Sequence, residues 1–302
     1  MSGGGLLHAI HNAWRKNTPE LVGLWTGALP DFVTARRPKE PLLGVPVFCY
    51  HLVEPETFEA DLEFLRTNDY RTVSAAEMVE FLHGARELSS RSVMLTFDDG
   101  PRNFHDVAFP LLRRYGACAT AFIAPGLHGE DDSDAASTAR PMSWQEVRAV
   151  HASGCVEFQS HTLESRFVPD WPMPVALAGC APALEASRRG TPRAFGEDLA
   201  LSRSILESQL RGATVNQLAF PMYRGTTAAL DTARALGFRA CYWGLVAGRP
   251  LNRRGDSPFH VSRLSDEFVR RLPGSGRISI TQMIRERVKR AQSARAWRRQ
   301  FA

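Results

Sequence analysis

Apolar residues along this chain fall into two alternating patterns. Short runs rich in β-branched and aromatic residues alternate with longer stretches in which apolar positions return every three or four residues. The first pattern predicts buried strands and the second predicts amphipathic helices. Strands are expected at 45–50, 70–73, 92–96, 117–123, 156–160, 217–220 and 238–243. Helices are expected between them, at 57–65, 74–82, 104–115, 143–150, 196–210 and 227–236. Two helix starts carry a capping box, Ser74 with Glu77 and Ser143 with Glu146, in which each side chain satisfies an end amide of the other residue. Strands separated by helices in this way imply a parallel sheet, either closed as a barrel or open and doubly wound.

The same pattern divides the chain. Residues 1–44 read as an N-terminal arm with an amphipathic stretch at 8–14, an apolar patch at 21–29 and a polar linker at 35–41. Residues 45–280 form the main domain, ending in a strand-like tail over 259–280. Within it, 168–194 is a long loop interrupted by Pro169, Pro172, Pro174, Pro182 and Pro192; loops of this length in compact domains are more often functional than idle. Residues 281–302 read as a basic helix carrying Arg285, Arg287, Lys289, Arg290, Arg295, Arg298 and Arg299. Such a helix is either a solvated terminus or a contact for an anionic membrane surface.

Composition narrows the class without naming it. The 302 residues carry a formal net charge of +5, concentrated at the C-terminus. No apolar run reaches the roughly 18 residues that span a bilayer. The first residues lack a basic stretch followed by an apolar one, so no secretory signal is expected. The five cysteines include no C-x-x-C pair and read as reduced, buried thiols. Together these features predict a cytoplasmic protein. No nucleic-acid partner is expected, because the only aromatics of the basic tail are Trp297 and Phe301 and no recognition module is evident.

The chemistry gathers at strand ends. Thr96-Phe97-Asp98-Asp99-Gly100-Pro101 places two adjacent carboxylates where a buried strand meets a chain break. Two neighbouring acids repel, so both stay ionised only with a compensating cation. One acid can then hold a metal while the other works as a base. His161 closes the strand at 156–160, Pro221 and Met222-Tyr223 follow the strand at 217–220, and His51 ends the first strand. In barrel-like folds these C-terminal strand ends meet in one mouth.

Thr96-Phe97-Asp98-Asp99-Gly100, Ser160-His161-Thr162, Phe220-Pro221 before Arg224-Gly225-Thr226, the opening Tyr50-His51, and the closing 272–277 segment resemble the polysaccharide deacetylases with NodB homology. The resemblance covers 45–280 and implies a distorted (β/α)7 barrel. It implies a divalent metal, zinc foremost, with cobalt, nickel or manganese as alternatives. It also implies hydrolysis of an N-acetyl or related acyl amide on a sugar, with an N-acetylated carbohydrate as substrate. Carried onto this chain, Asp98 becomes the general base and Asp99 and His161 become metal ligands. The backbone amide near Met222 or Tyr223 becomes an oxyanion donor, so Tyr223 counts as catalytic. His51, Pro221, Met222 and Arg224 line the substrate site.

The chain departs from that pattern at three points. Where the family has a second histidine in His-Ser/Thr-x-x-His, this chain reads His161-Thr162-Leu163-Glu164-Ser165. The third metal ligand is then Glu164, the better donor, or Ser165, or neither, which would leave a weak two-ligand site. The basic residue that orients the base is absent before Phe220; Arg224 or Arg263 could fill in. The family's late histidine, a general acid, has no clean match, leaving His260 or His51. These departures keep a second reading open: a catalytically impaired member that binds glycan or regulates surface-polysaccharide synthesis.

Overall fold

The computed structural model describes residues 29–130, 140–170 and 194–287. The strands are β1 (Val47–Tyr50), β2 (Arg71–Thr72), β3 (Ser92–Asp98), β4 (Ala119–Ile123), β5 (Val156–Ser160), β6 (Gln217–Ala219), β7 (Ala240–Tyr242) and β8 (Leu264–Ser265). They form one sheet in the order β7-β6-β5-β4-β3-β1-β8, with β2 paired to the start of β3. Every strand pairing among the described residues is parallel. The sheet curls until one extended segment joins its two edges. Val261 bridges to Tyr242 of β7, and Leu264, three residues on, pairs with Phe48 of β1. This closed, irregular ring is a distorted barrel.

Strand alternation decides what faces the lumen. In β3, Val93, Leu95 and Phe97 pack outward against the helices, while Met94 packs with the inner cluster; Thr96 and Asp98 share its parity. In β1, Phe48 and Tyr50 face outward and Val47 inward, so Cys49 shares the inner face. Val261 packs inside with Phe122, Ala219 and Tyr242, which turns Arg263 inward as well. The helix Ala75–Leu82 contributes Met78, Val79, Phe81 and Leu82 to that inner cluster. Both capping boxes form, at Ser74–Glu77 and Ser143–Glu146.

Two elements differ from expectation. The stretch 104–115 begins as a π-helical turn, Phe104–Ala108, and becomes α-helical only over Phe109–Tyr115. Pro110 has no amide to donate to the preceding turn, and the Phe109 amide reaches back five residues to the Phe104 carbonyl. The 259–280 tail holds only β8 as strand; 3₁₀ turns occupy Pro258–His260 and Asp266–Arg271. Arg271 explains the second turn's position. Its buried guanidinium donates to the carbonyls of Val33 (3.0 Å) and Ala35 (3.0 Å), clamping the short helix Asp31–Thr34 onto the domain with Phe32 and Val33 buried beneath. The segments 8–14 and 21–28 of the arm, most of the 168–194 loop and most of the basic 281–302 stretch lie outside the described residues. Among the described residues no helix is long and apolar enough to cross a membrane.

Phe97 sits at the centre of an aromatic group behind β3. Its ring stacks on Tyr50 at 5.0 Å and meets Phe58 and Phe104 edge-on at 5.6 and 4.7 Å. Phe97→Ala is expected to lower unfolding free energy by about 3–5 kcal/mol, read from the denaturant midpoint. A change below 1 kcal/mol would show that this wall does not anchor β3.

Candidate active site

Asp98 is the last residue of β3 and points into the lumen, 2% exposed. A carboxylate buried this deeply needs a partner. Arg263, delivered by the segment that closes the barrel, donates from Nη1 to Asp98 Oδ1 at 2.7 Å, and its side chain is fully buried. Burial alone would push the Asp98 carboxyl up; the Arg263 guanidinium, with His161 and His51 behind it, instead holds it far below the usual carboxylate range. Arg263 also lies over the rings of Tyr223 (5.2 Å) and Phe122 (5.7 Å). Of the two arginines considered for the orienting role, Arg263 makes the contact, while Arg224 is exposed beyond the Pro221–Tyr223 turn.

Asp99 turns the other way. Its φ of 69° is left-handed, and Gly100 follows at φ 62°. A Cβ on Gly100 would come within 2.6 Å of Ile123 Cγ2, so glycine is required for the sharp exit that carries Asp99 to the rim. There Asp99 Oδ1 lies 3.6 Å from His161 Nε2. The other ring nitrogen of His161 bonds the Ala219 carbonyl at 2.8 Å. A carbonyl accepts, so that bond places the proton on Nδ1 and leaves the Nε2 lone pair facing Asp99. This is the arrangement a metal-binding histidine needs.

The third position is occupied differently. Ser165 Oγ donates to Asp99 Oδ1 at 3.1 Å, so serine stands beside the carboxylate. The Glu164 Cγ lies against Gly126. Among the described residues, the groups of three whose donor atoms converge are Cys49–His51–Asp98 and His105–Asp106–Glu146, and neither contains Glu164. The structure therefore brings Asp99, His161 and Ser165 together and leaves Glu164 apart. A short turn with Thr162 and Ser165 at positive φ aims Ser165, rather than its neighbour, at the rim. Carboxylate and imidazole suit a divalent cation, so Asp99 and His161 fit one, as an incomplete set.

The remaining residues divide in two. Tyr223, at φ 63° after Met222 at φ 55°, packs into the mouth. Its hydroxyl points to Cys49 Sγ at 3.8 Å and its ring meets His51 at 6.1 Å. Burial, reinforced by Cys49 and Asp98, keeps its phenol protonated. Its amide donates to the Phe220 carbonyl at 3.0 Å, so the turn itself uses that candidate oxyanion donor. Pro221 is buried under the turn and Met222 is half-buried at the mouth. His260 does not reach the mouth. It stacks at 5.8 Å on Trp243, which belongs to the outer cluster, and burial together with Arg249 and Arg234 lowers its pKa.

Sequence reasoning missed two features. Cys49 is no mere packing thiol, because its Sγ lies 3.4 Å from Asp98 Oδ2; the strand parity that turns Asp98 inward was the available signal. His128, to which the sequence pattern assigns no role, is buried, with Nδ1 on the Met142 carbonyl at 2.7 Å. A separate cleft of about 420 Å³ opens where β5 and β6 begin, lined by Glu157, Gln159, Asn216 and Arg239 and by none of the mouth residues.

Comparison with known proteins bears on this geometry. The polysaccharide deacetylase family model matches residues 85–241. The chain belongs to that family. YxkH of Bacillus subtilis is 31% identical over 113 residues, which cover 35% of this chain and 40% of the relative. A poly-beta-1,6-N-acetyl-D-glucosamine N-deacetylase of Staphylococcus aureus is 27% identical over 110 residues, covering 36% and 37%. The matched region thus spans about two fifths of these curated relatives. Among solved structures, IcaB from Ammonifex degensii is 26% identical with a TM-score of 0.60, covering 76% of this chain and 95% of that one. The deacetylase domain of BpsB from Bordetella bronchiseptica has a TM-score of 0.56 at 20% identity and shares the fold. The curled parallel sheet is the distorted (β/α)7 barrel of these deacetylases.

The Asp98–Arg263 pair gives this family member a testable dependence on pH. Asp98 has a folded pKa depressed below its unfolded value of about 3.9. It therefore contributes stability above that value and loses it as pH falls further. In Arg263→Met the buried carboxyl lacks its cation, its folded pKa rises, and ionisation becomes a cost instead. The variant is expected to lose about 3–5 kcal/mol at neutral pH and less as pH drops through the carboxylate range. Urea unfolding at several pH values reads this, and a pH-independent deficit would refute the pairing argument.

Proposed function

We propose that this chain is a divalent-metal-dependent hydrolase that removes N-acetyl groups from the sugars of a polysaccharide. The observation that carries the reading is the meeting, at one barrel mouth, of a buried ionised Asp98 held by Arg263 and the rim pair Asp99–His161. Family membership and the named activity of the Staphylococcus aureus relative support the substrate class.

Asp99 and His161 would hold the ion. When bound, it supplies Lewis acidity for the acetamide carbonyl and for water. The chain's own residues do the rest. Asp98 is ionised at working pH and accepts a proton from the attacking water at its carboxylate. Arg263 fixes the orientation of that buried carboxylate and offsets its charge. Collapse of the tetrahedral adduct expels the amine, which needs a proton. His51 is half-buried in the mouth, close enough to Asp98 that their donor atoms lie within 4.8 Å, and is better placed for that transfer than His260. Tyr223 stays protonated and closes one wall of the mouth.

One observation favours a second reading. Ser165 stands where the family's third ligand belongs, and two protein donors bind metal weakly. A member that retains the pocket but turns over slowly, or only binds glycan, follows from that.

Two measurements separate these readings. Acetate release from an N-acetylglucosamine oligomer is expected with added zinc, cobalt or nickel, and Asp98→Asn should lower it by about 10²–10⁴-fold with metal binding at the Asp99–His161 pair retained. No release with any metal would favour the binding role. Ser165→His is expected to tighten metal binding by more than about tenfold, measured by competition with a chelator. Unchanged affinity would mean that position 165 does not face the ion.

A further inference from the structure

The donor atoms that converge best in this mouth are not those of the rim pair. Cys49 Sγ, a ring nitrogen of His51 and a carboxylate oxygen of Asp98 all lie within 4.8 Å of one another. The Sγ to Oδ2 separation is 3.4 Å. Around a tetrahedral ion with metal–sulfur near 2.3 Å and metal–oxygen near 2.1 Å, that edge would be about 3.6 Å. Asp98 presents Oδ2 to the thiol because Arg263 has taken Oδ1, so one carboxylate can serve both partners. Tyr223 points its hydroxyl at the sulfur from 3.8 Å, as outer groups around a thiolate ligand do. Cys49 and Asp98 are buried, while His51 is half-buried and leaves a route from the mouth. The other converging group is unlike this one. Asp106 and Glu146 are bound by Arg102 and Arg140, at 2.9 and 3.1 Å, and form a surface ion-pair network.

We propose that Cys49, His51 and Asp98 form a binding site for a thiophilic divalent cation, distinct from the Asp99–His161 pair and sharing the mouth with it. A sulfur–nitrogen–oxygen donor set selects zinc, cobalt or cadmium over magnesium or manganese. Binding breaks the Cys49 S–H bond, sends the proton to solvent and forms the metal–sulfur bond, so affinity rises with pH. The binding claim stands without the deacetylase reading. Its consequence rests on that reading: an ion held on Asp98 Oδ2 removes the general base, so occupancy of this site inhibits.

Cobalt reports the sulfur directly. Titration of the reduced full chain with Co²⁺ is expected to produce a sulfur-to-cobalt charge-transfer band in the near ultraviolet. Cadmium should displace it and magnesium should not. Cys49→Ser should abolish the band and Cys241→Ser should leave it. His51→Gln should keep the band but weaken Co²⁺ binding by more than about tenfold, which tests the site even if Cys49→Ser does not fold. No band in the wild type, a band that survives Cys49→Ser, or unchanged affinity in His51→Gln would overturn the site. Acetate release against rising zinc then tests the consequence: a fall at high zinc that Cys49→Ser removes is expected. Absence of acetate at every zinc level, with the band intact, would refute the deacetylase reading and leave the metal site standing.

Discussion

A charge cannot remain ionised in the lumen of this barrel without a partner, and the Asp98–Arg263 pair meets that constraint. The two residues stand 165 positions apart and meet only when the sheet has closed. Val261 must reach β7 and Leu264 must reach β1 before the guanidinium between them can face β3. Closure therefore supplies the cation that lets Asp98 stay ionised once it is buried. Removing either partner leaves an uncompensated buried charge, which costs far more than a surface ion pair. The fold thereby holds the carboxylate buried and oriented, as the proposed role of general base requires.

From that centre the mouth divides by depth. The buried layer contains Asp98, Arg263, Cys49 and His161; the rim contains Asp99, Ser165 and His51. Left-handed backbone at Asp99, Met222 and Tyr223 lets consecutive residues leave the strand ends in directions that regular strands do not offer. Such conformations cost energy and persist where the surroundings impose them. Here Gly100 and Gly244 yield the space: a Cβ on Gly244 would meet Tyr223 Cβ at 2.9 Å.

Much of this was legible in the residues, for local reasons. Alternating apolar periods marked the strands and most helices, and both capping boxes formed as written. The period of two within β3 turns Asp98 inward. Features that depend on distant partners were less legible. Arg263 was only one of two arginines considered, because nothing near it in sequence marks it as lumenal. Glu164 was preferred to Ser165 on donor chemistry, but turn geometry aims the serine. His260 was nearest to the family's late histidine in sequence, yet it lies on the outer side of the wall against Trp243. The strand expected over 259–280 failed because short buried turns, held by Arg271 and by side-chain contacts to the arm, replace regular pairing there.

The coupling between closure and the Asp98 carboxylate is measured most directly by a double-mutant cycle on unfolding free energy, using Asp98→Asn, Arg263→Met and the double variant at neutral pH. A coupled pair predicts that the double variant is no less stable than Arg263→Met alone, with an interaction energy of about 2–3 kcal/mol. Additive losses would contradict it, and would mean that Arg263 packs in the lumen without holding Asp98.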